Sequence, residues 1–385
     1  MNRKCPICDS DNKVKLYEIA FDFDDDFPLP KRNDIVCCRE CGFAFADNDA
    51  NQDVYDIYYK KFNVYTKADT IKYTNVNKCY VATFADVLKR YIDDKSVSII
   101  DVGCGDGGLL TNLKDAGFVN LYGLDPAESS IAHLKEIGIK GFQGSIFDVL
   151  EIDNKMRFDY VISTGVAEHI YNLGEYIEKL SAFMKEDGAL YIVVPDVEGF
   201  GAKYMSLPNY FNQEHINYFS RISLDNLLAL HNMVNTSESR TFFDINGERI
   251  LYGIYKNNHA PVVRNHDTLS KKSIESFLNK YKRNGNNANE LREFLNGREF
   301  IIWGTGSLAN QLLAQNNDLK KGLKYCVDNN PGKIGTRFAG YPVESPEVIR
   351  KDSTCPIVIC SMMNHEDIVE QINSMGLSNQ FIVCY

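Results

Sequence analysis

The chain has 385 residues, of which 44% are hydrophobic, so it is long enough to form two or three domains with cores of their own. Its 42 basic and 52 acidic side chains give a formal net charge of −10, which is a poor match for the phosphate backbone of a nucleic acid. The sequence has no run of about 18 apolar residues, so it predicts no membrane-spanning helix. Its eleven cysteines are an odd number and are scattered, which favours a reduced, cytoplasmic protein over a disulfide scaffold.

The first predicted domain, residues 1–75, contains two CxxC pairs. This spacing turns two thiolates toward one ion, and four thiolates form a closed structural zinc site. We therefore predict that Zn²⁺ is bound by Cys5, Cys8, Cys38 and Cys41. The acidic run 22–26 between the pairs disfavours a nucleic-acid-binding ribbon, and the polar first residues are not typical of a signal peptide. Tyrosines that follow, Tyr59 and Tyr65 among them, could stack on a substrate or pack on the zinc module.

A buried strand that ends in Asp101 leads into a glycine-rich turn. Glycines follow at positions 103, 105 and 107, so bare backbone can lie against a ligand. This order differs from the dinucleotide-binding pattern G-x-G-x-x-G, in which the third glycine comes one residue later. It resembles motif I of the class I methyltransferases that use S-adenosylmethionine (SAM).

Strands and helices alternate through the second predicted domain, residues 76–256. Four further apolar strands are predicted at Leu121–Asp125, Gly141–Ser145, Phe158–Ser163 and Ala189–Pro195. Such strands imply a parallel sheet covered on both faces, which is the α/β, Rossmann-like fold of a class I methyltransferase core. An antiparallel pair, Thr236–Phe243 with Ile250–Tyr255, is expected to close the sheet.

The cofactor is expected beyond the carboxyl ends of these strands, as in other open parallel sheets. Asp125 ends the second strand, where a carboxylate can accept hydrogen bonds from both ribose hydroxyls of a nucleoside. The predicted SAM-binding residues are Asp101, Gly103, Cys104, Gly105, Gly107, Asp125, Pro126, Ser145, Ile146 and Ser163.

Two histidines follow predicted strands and are candidates for acid–base chemistry. Methyl transfer requires an aligned nucleophile and removal of its proton, a task that suits a histidine. His215 is the predicted general base, and Glu214 beside it is expected to orient the ring or to stabilise its charged form. His169 is a second candidate, which could instead orient a loop over the cofactor. Tyr59, Tyr65 and Tyr218 are the predicted substrate contacts.

The remainder of the chain is predicted to be a helical linker, residues 257–297, and a Rossmann-like domain, residues 298–385. In the latter, Phe300–Trp303 runs into the turn Gly304–Ala309, and Asp328 follows another strand. A scaffold that packs on the catalytic core or makes a homodimer is the expected role. Bound NAD or another nucleotide is the alternative.

These parts, in this order, resemble the sugar C-methyltransferases of deoxysugar biosynthesis. The features that carry the resemblance are the two CxxC pairs, the glycine run, Val166-x-x-His169-Ile170, Glu214-His215-x-x-Tyr218-Phe219-Ser220 and Val327–Lys333. The resemblance implies a zinc-binding module, a SAM-binding core, a Rossmann-like C-terminal domain and a nucleotide-linked 4-keto sugar as substrate. It also implies that Glu214 and His215 lie at the active site.

Two departures from that family leave the reaction open. The family's Gly-Gly-Ser stretch is replaced by Asn246–Arg249, and its lysine in the C-terminal glycine turn is missing from Ser307–Asn310. The leading hypothesis is therefore a SAM-dependent methyltransferase that acts on a nucleotide-activated sugar. O-methylation of a sugar or related polar metabolite is the alternative, and a non-catalytic scaffold is the hypothesis from another class.

Overall fold

The computed structural model describes residues 3–24, 26–61, 75–148, 156–201, 207–238, 240–243, 247–283, 287–362 and 364–384. The strands are β1 (Lys13–Ala20), β2 (Arg32–Cys38), β3 (Ala44–Asp47), β4 (Ser98–Val102), β5 (Asn120–Asp125), β6 (Lys140–Gln143), β7 (Phe158–Thr164), β8 (Met184–Pro195), β9 (Asn217–Tyr218), β10 (Met233–Asn235), β11 (Thr241–Phe243), β12 (Arg249–Asn257), β13 (Phe300–Trp303), β14 (Leu323–Val327), β15 (Arg337–Phe338), β16 (Tyr341–Glu344), β17 (Ile357–Ile359) and β18 (Phe381–Val383). The helices are α1 (Gln52–Lys61), α2 (Asn75–Lys89), α3 (Gly108–Asp115), α4 (Glu128–Glu136), α5 (Leu173–Ala182), α6 (Leu207–Tyr210), α7 (Arg221–Ala229), α8 (Leu269–Arg283), α9 (Asn287–Leu295), α10 (Ser307–Gln315), α11 (Asn317–Lys320) and α12 (His365–Ser374). In the described part of the chain, no helix combines the length and the apolar character needed to cross a bilayer.

The central sheet has the order β6-β5-β4-β7-β8-β12-β10, and β11 also pairs with β12. Strands β4 to β8 pair in parallel, whereas β12 runs antiparallel to β8. Side chains of β4, β7 and β8 are buried throughout most of their length, as expected for a sheet with helices on both faces. The predicted α/β, Rossmann-like methyltransferase fold is confirmed. Strand β8 begins earlier than predicted, because Met184 already pairs with Phe158.

An antiparallel sheet with the order β1-β2-β3-β9 forms the N-terminal unit. Its last strand, β9, comes from the segment that follows β8 of the central sheet, and Ala44 pairs there with Tyr218. The N-terminal unit therefore holds a piece of the chain that belongs to the central unit by sequence. Residues 211–216, which precede β9, therefore lie against the N-terminal unit.

The C-terminal sheet has the order β15-β16-β14-β13-β17-β18, and its pairs are parallel except for β15 with β16. Helix α10 follows the glycine turn after β13, and both α10 and α11 contact the other units. Gln311 Nε2 donates to the Phe211 carbonyl at 2.8 Å, and Lys320 forms a 2.6 Å ion pair with Asp22. Helix α8, from the predicted linker, packs its apolar face into the cluster of Tyr210 and Phe211. The unit is thus docked on the segment that precedes β9.

Arg3 is a buried cation that joins the N-terminal unit to the central one. Its guanidinium donates to the carbonyls of Ala46 (3.2 Å), Ile216 (3.0 Å) and Tyr171 (2.8 Å) and to Asn217 Oδ1 (3.0 Å). The Arg3 side chain also lies over the Tyr171 ring. Burial lowers its pKa from 12.5 to about 10, so it stays protonated at neutral pH.

We expect Arg3→Met to lower the free energy of unfolding by roughly 3 kcal/mol, because several buried carbonyl oxygens would lose their donor. Urea unfolding followed by far-UV circular dichroism measures the change. Lys4→Met is the matched control, since Lys4 forms an exposed ion pair with Asp9, and its replacement should cost less than about 1 kcal/mol. Equal unfolding midpoints for the two variants would contradict the assigned role of Arg3.

Candidate functional site

A cavity of about 380 Å³ opens at the carboxyl ends of β4, β5 and β7. The strand order places these three ends side by side, as expected for a ligand site in an open parallel sheet. Predicted site residues that line the cavity are Asp101, Gly103, Cys104, Gly105, Asp125, Pro126, Ser145, Ile146, Tyr59, His169 and Glu214. The cavity therefore brings together residues predicted for the cofactor, the substrate and the chemistry.

The glycine turn after β4 forms the floor of this cavity. Gly103 has a positive φ of 78°, and a Cβ built on it would lie 2.5 Å from the Val166 side chain. Gly105 is also left-handed, and its N–H donates to Asp125 Oδ2 at 2.9 Å. Only glycine fits the first position, because a side chain would be both strained and in collision. Bare backbone is thereby exposed to whatever the cavity holds.

Two carboxyl groups stand close to this turn. Asp125 also accepts a hydrogen bond from the Ala127 N–H at 2.9 Å, and burial raises its pKa. Asp101 is 2% exposed, and its Oδ1 is buried without a hydrogen-bond partner in the described residues. Burial, together with the charge of Asp125, raises the pKa of Asp101 to about 8. The floor is therefore a low-dielectric region with acceptor oxygens available to a ligand.

The opposite side of the cavity is formed by a 3₁₀ turn, Ala167–His169, and the segment before β9. The rings of His169 and His215 meet edge to face with centroids 4.9 Å apart. Burial lowers the pKa of His215 to about 4 and, with the neighbouring His215, lowers that of His169 as well. Both imidazoles are therefore neutral at pH 7.

Glu214 faces the cavity, but its carboxylate is engaged by another side chain. Glu214 Oε1 accepts a short hydrogen bond from the Tyr58 hydroxyl of α1. Its main-chain oxygen lies 3.2 Å from His169 Nδ1. The sequence predicts an orienting contact between Glu214 and the His215 ring, whereas the observed partner of the carboxylate is Tyr58. The tyrosine-rich segment is thus tied directly to the site.

Asn212 fixes the backbone of the Glu214–His215 pair. Its Oδ1 accepts hydrogen bonds from the N–H groups of Glu214 at 2.8 Å and His215 at 2.7 Å. Its amide nitrogen donates to the Asn209 carbonyl at 3.1 Å. The Asn212 side chain thereby supplies the acceptor that a helix or a strand would otherwise provide for these two N–H groups.

Other predicted residues lie elsewhere. Gly107 packs on the Leu134 side chain, where a Cβ would approach to 2.3 Å, and so supports α4. Ser163 is fully buried and hydrogen-bonds with Tyr176 at 2.8 Å, and Tyr218 is buried against Phe211. Neither these three residues nor His215 are among the cavity-lining residues, and Tyr65 falls outside the described residues.

Several lining residues were not anticipated from the sequence. Phe147 contributes an apolar side chain to the wall, and α1 contributes Gln52, Asp56 and Lys60. Gln52 Oε1 accepts from the N–H groups of Tyr171 and Asn172, which fixes α1 at the mouth of the cavity. Helix α1 precedes the central unit in the sequence. The signal that could have indicated its cavity-facing side is the amphipathic pattern around the predicted tyrosines.

The four cysteines predicted to bind zinc lie together in the N-terminal unit, with all Sγ atoms within 4.8 Å of one another. The Cys5–Cys41 and Cys8–Cys38 sulfur pairs are 3.4 and 3.5 Å apart. Four thiolates around Zn²⁺ would be about 3.8 Å apart, so the arrangement fits a tetrahedral ion. Cys37 is outside this cluster and points its Sγ to the Gly42 carbonyl at 3.2 Å.

The glycine turn of the C-terminal unit is held by its own chain. Asp328 Oδ2 accepts from the Thr305 N–H at 2.9 Å and hydroxyl at 2.7 Å, and from Lys333 Nζ at 3.1 Å. Ser307, at the start of α10, donates to Gln213 Oε1 at 3.2 Å. The start of this helix thus faces the segment that carries Glu214 and His215.

Comparison with known families gives two matches along the chain. Residues 78–238 match the family model of a methyltransferase domain, and residues 296–383 match a family described as C2185-like, N-terminal. The first match spans strands β4 to β10 and the cavity-lining residues that follow β4, β5 and β7. The chain therefore contains a methyltransferase domain.

Among curated proteins, similar sequences include ubiquinone biosynthesis O-methyltransferases. That of Bradyrhizobium diazoefficiens is 32% identical over 97 residues, which are 24% of this chain and 38% of that protein. That of Rickettsia canadensis is 35% identical over 107 residues, or 26% of this chain and 44% of that protein. Each match thus spans less than half of the relative. A solved structure of 1,6-didemethyltoxoflavin-N1-methyltransferase from Burkholderia thailandensis, with bound S-adenosylhomocysteine, aligns to 57% of this chain and 97% of its own at 17% identity, with a TM-score of 0.43.

Replacement of Asn212 by alanine tests its control of the Glu214–His215 backbone. Two N–H groups would lose their acceptor, so we expect their hydrogen exchange to become at least roughly tenfold faster. Mass spectrometry of peptides that cover 211–216 measures this rate. Asn120→Ala removes a single exposed hydrogen bond, which Asn120 donates to the Ser96 carbonyl, and should leave these peptides unchanged. Unaltered exchange in the Asn212 variant would show that other contacts hold the segment.

Proposed function

We propose that this protein transfers a methyl group from SAM to a small molecule, and that the substrate is a nucleotide-activated sugar. The observation that carries the proposal is one cavity with the acid-and-glycine turn on one side and the neutral His169, whose ring contacts that of His215, on the other. SAM, when bound, supplies a sulfonium methyl group as the electrophile. The chain's part is to hold the cofactor and the nucleophile in line and to accept a proton.

The residues at the floor fit a bound nucleoside with an amino-acid tail. Asp125 is proposed to accept hydrogen bonds from the ribose hydroxyls, and its position at the carboxyl end of β5 supports this role. Backbone of Gly103 and Gly105 allows close approach, and the unpartnered oxygen of Asp101 suits an ammonium group of the cofactor. These roles are supported by the geometry of the lining residues.

His215 is proposed as the general base. Its neutral ring can take a proton from the substrate while the carbon–sulfur bond of the methyl donor breaks and a new bond to the methyl carbon forms. Asn212 holds the backbone of His215, and Tyr58 holds the neighbouring Glu214 carboxylate. The proposed general base therefore lies on a segment that is held by hydrogen bonds to Asn212 and Tyr58.

The polar mouth of the cavity supports a sugar substrate. Gln52, Asp56, Tyr59 and Lys60 of α1 line it, and together they offer donors, acceptors and an aromatic face for hydroxyls and rings. A 4-keto deoxysugar is the substrate form that the family resemblance implies, because a carbon next to a ketone can be deprotonated. Transfer to a hydroxyl oxygen is the second candidate, and it is favoured by the O-methyltransferases among the similar sequences.

The deciding experiment incubates the full chain with SAM and a panel of nucleotide sugars, with 4-keto-6-deoxy sugars beside their reduced counterparts. Mass spectrometry detects the gain of one methyl group, and acid hydrolysis separates a branched sugar from a methoxy product. Methylation of keto sugars alone would support carbon transfer. Methylation of reduced sugars would support oxygen transfer, and methylation of neither would overturn the sugar assignment.

We expect His215→Gln to lower kcat by at least roughly 100-fold, because the proton would lose its acceptor. Affinity for SAM should stay within about threefold, since His215 is not among the lining residues of the floor. Steady-state kinetics and calorimetric titration of SAM measure the two effects. His259→Gln, an exposed linker position, is the matched control. Full turnover in the His215 variant would remove it from the mechanism.

Zinc is proposed for the four-cysteine cluster, where it would be structural because all four ligands are protein thiolates. We expect about one zinc per chain by elemental analysis, and Cys38→Ser should lose the metal and unfold the N-terminal sheet. Cys37→Ser alters a buried neighbour outside the cluster and should retain the metal. A folded wild-type protein without metal would overturn the assignment.

A further inference from the structure

A second group of potential metal ligands lies beside the cavity, far from the cysteines in the sequence. Glu168, His169 and His215 each offer one ligand atom, and these atoms lie within 4.8 Å of one another. His169 Nε2 is 3.8 Å from Glu168 Oε1. Two residues come from the 3₁₀ turn after β7, and the third comes from the segment before β9. The fold therefore brings two imidazoles and a carboxylate to one point.

The hydrogen bonding of His169 leaves its Nε2 available to bind a metal ion. Its Nδ1 lies 3.2 Å from the main-chain oxygen of Glu214, which can only accept, so Nδ1 carries the hydrogen. The lone pair is then on Nε2, the atom that faces Glu168. A carbonyl bonded to the distal N–H is the usual outer partner of a metal-binding histidine, because it fixes the tautomer and the ring orientation.

The buried carboxyl group of Glu168 is a second, independent indication of a cation site. The residue is 4% exposed, and its Oε2 is buried without a hydrogen-bond partner in the described part of the chain. An unpaired carboxylate oxygen in the interior is costly, and a bound cation would satisfy it. The methyl-transfer scheme gives this carboxyl group no role.

We propose that Glu168, His169 and His215 bind one divalent transition-metal ion, such as Zn²⁺ or Co²⁺, and that they bind it more weakly than the four cysteines do, so that this site is empty at one zinc per chain. Two imidazoles and a carboxylate are a donor set that such ions prefer, whereas Mg²⁺ and Ca²⁺ prefer oxygen ligands. Two ligands on one ion at about 2.1 Å are at most about 4.2 Å apart, so the three ligand atoms, which lie within 4.8 Å of one another, need to approach by at most about 0.6 Å. His169 lines the cavity, which gives the ion an entry path.

The consequence for catalysis rests on the proposed function. An ion on His215 occupies the lone pair that would accept the substrate proton. Metal binding therefore inhibits methyl transfer, and it does so without touching the floor that holds SAM. The cofactor's affinity is expected to be unchanged when the ion is bound.

Cobalt distinguishes this site from the cysteine cluster. The full chain with its cysteines loaded with zinc is titrated with Co²⁺, and calorimetry and visible absorption are followed without SAM or substrate. We expect one further Co²⁺ per chain, with weak visible bands and no thiolate charge-transfer band. Glu168→Gln and His215→Gln should each weaken this binding at least roughly tenfold, while His259→Gln binds like the wild type.

Binding of no ion beyond the cysteine site overturns the proposal, as does wild-type affinity in both ligand variants. Circular dichroism and SAM titration confirm that the variants are folded. Because the titration needs no substrate, its result stands whichever methyl acceptor is found. Inhibition by Co²⁺ that is lost in Glu168→Gln supports the inhibitory role, and binding without inhibition overturns that role alone.

Discussion

The pairing of β9 with β3 is the constraint on which the candidate site depends. β9 has only two residues, yet its attachment to the N-terminal sheet determines where Glu214 and His215 stand. Asn217 of the same strand donates to the carbonyls of Ala167 at 2.9 Å and Ile170 at 2.6 Å, on either side of His169. A single short strand therefore places both histidines. Arg3 links the two units by donating hydrogen bonds to main-chain carbonyls of both, which no apolar side chain could do.

Three units of the chain contribute residues or support to the candidate site. The central unit contributes the glycine turn and Asp125, the N-terminal unit contributes the polar face of α1, and the C-terminal unit supports the segment before β9. Gln311 and Ser307 contact Phe211 and Gln213, which flank Asn212. A cofactor floor built on parallel strands can thus stay constant, while the face presented to a substrate comes from elements outside the core.

The parts of the molecule that could be predicted are those with local signals. Apolar strands that carry Asp101 and Asp125 near their carboxyl ends, with glycines at alternate positions, indicated the sheet and the cavity floor. The CxxC spacing indicated the cysteine cluster. The β3–β9 pairing could not be predicted, because two residues carry no periodicity and their partner is distant in sequence. The same limit applies to the Tyr58–Glu214 contact and the His169–His215 pair, which depend on that pairing.

The chain uses one turn design in two ways. After β4, Gly105 donates to Asp125, which also lines an open cavity. After β13, Thr305 donates to Asp328 in the same manner, but Lys333 and the Asn330 N–H, at 2.9 Å, also bind that carboxylate. A carboxylate with all these donors has little capacity left for ribose hydroxyls. In the helix that follows the second turn, Ser307 donates to Gln213, so this turn leads into a contact with the segment that carries His215.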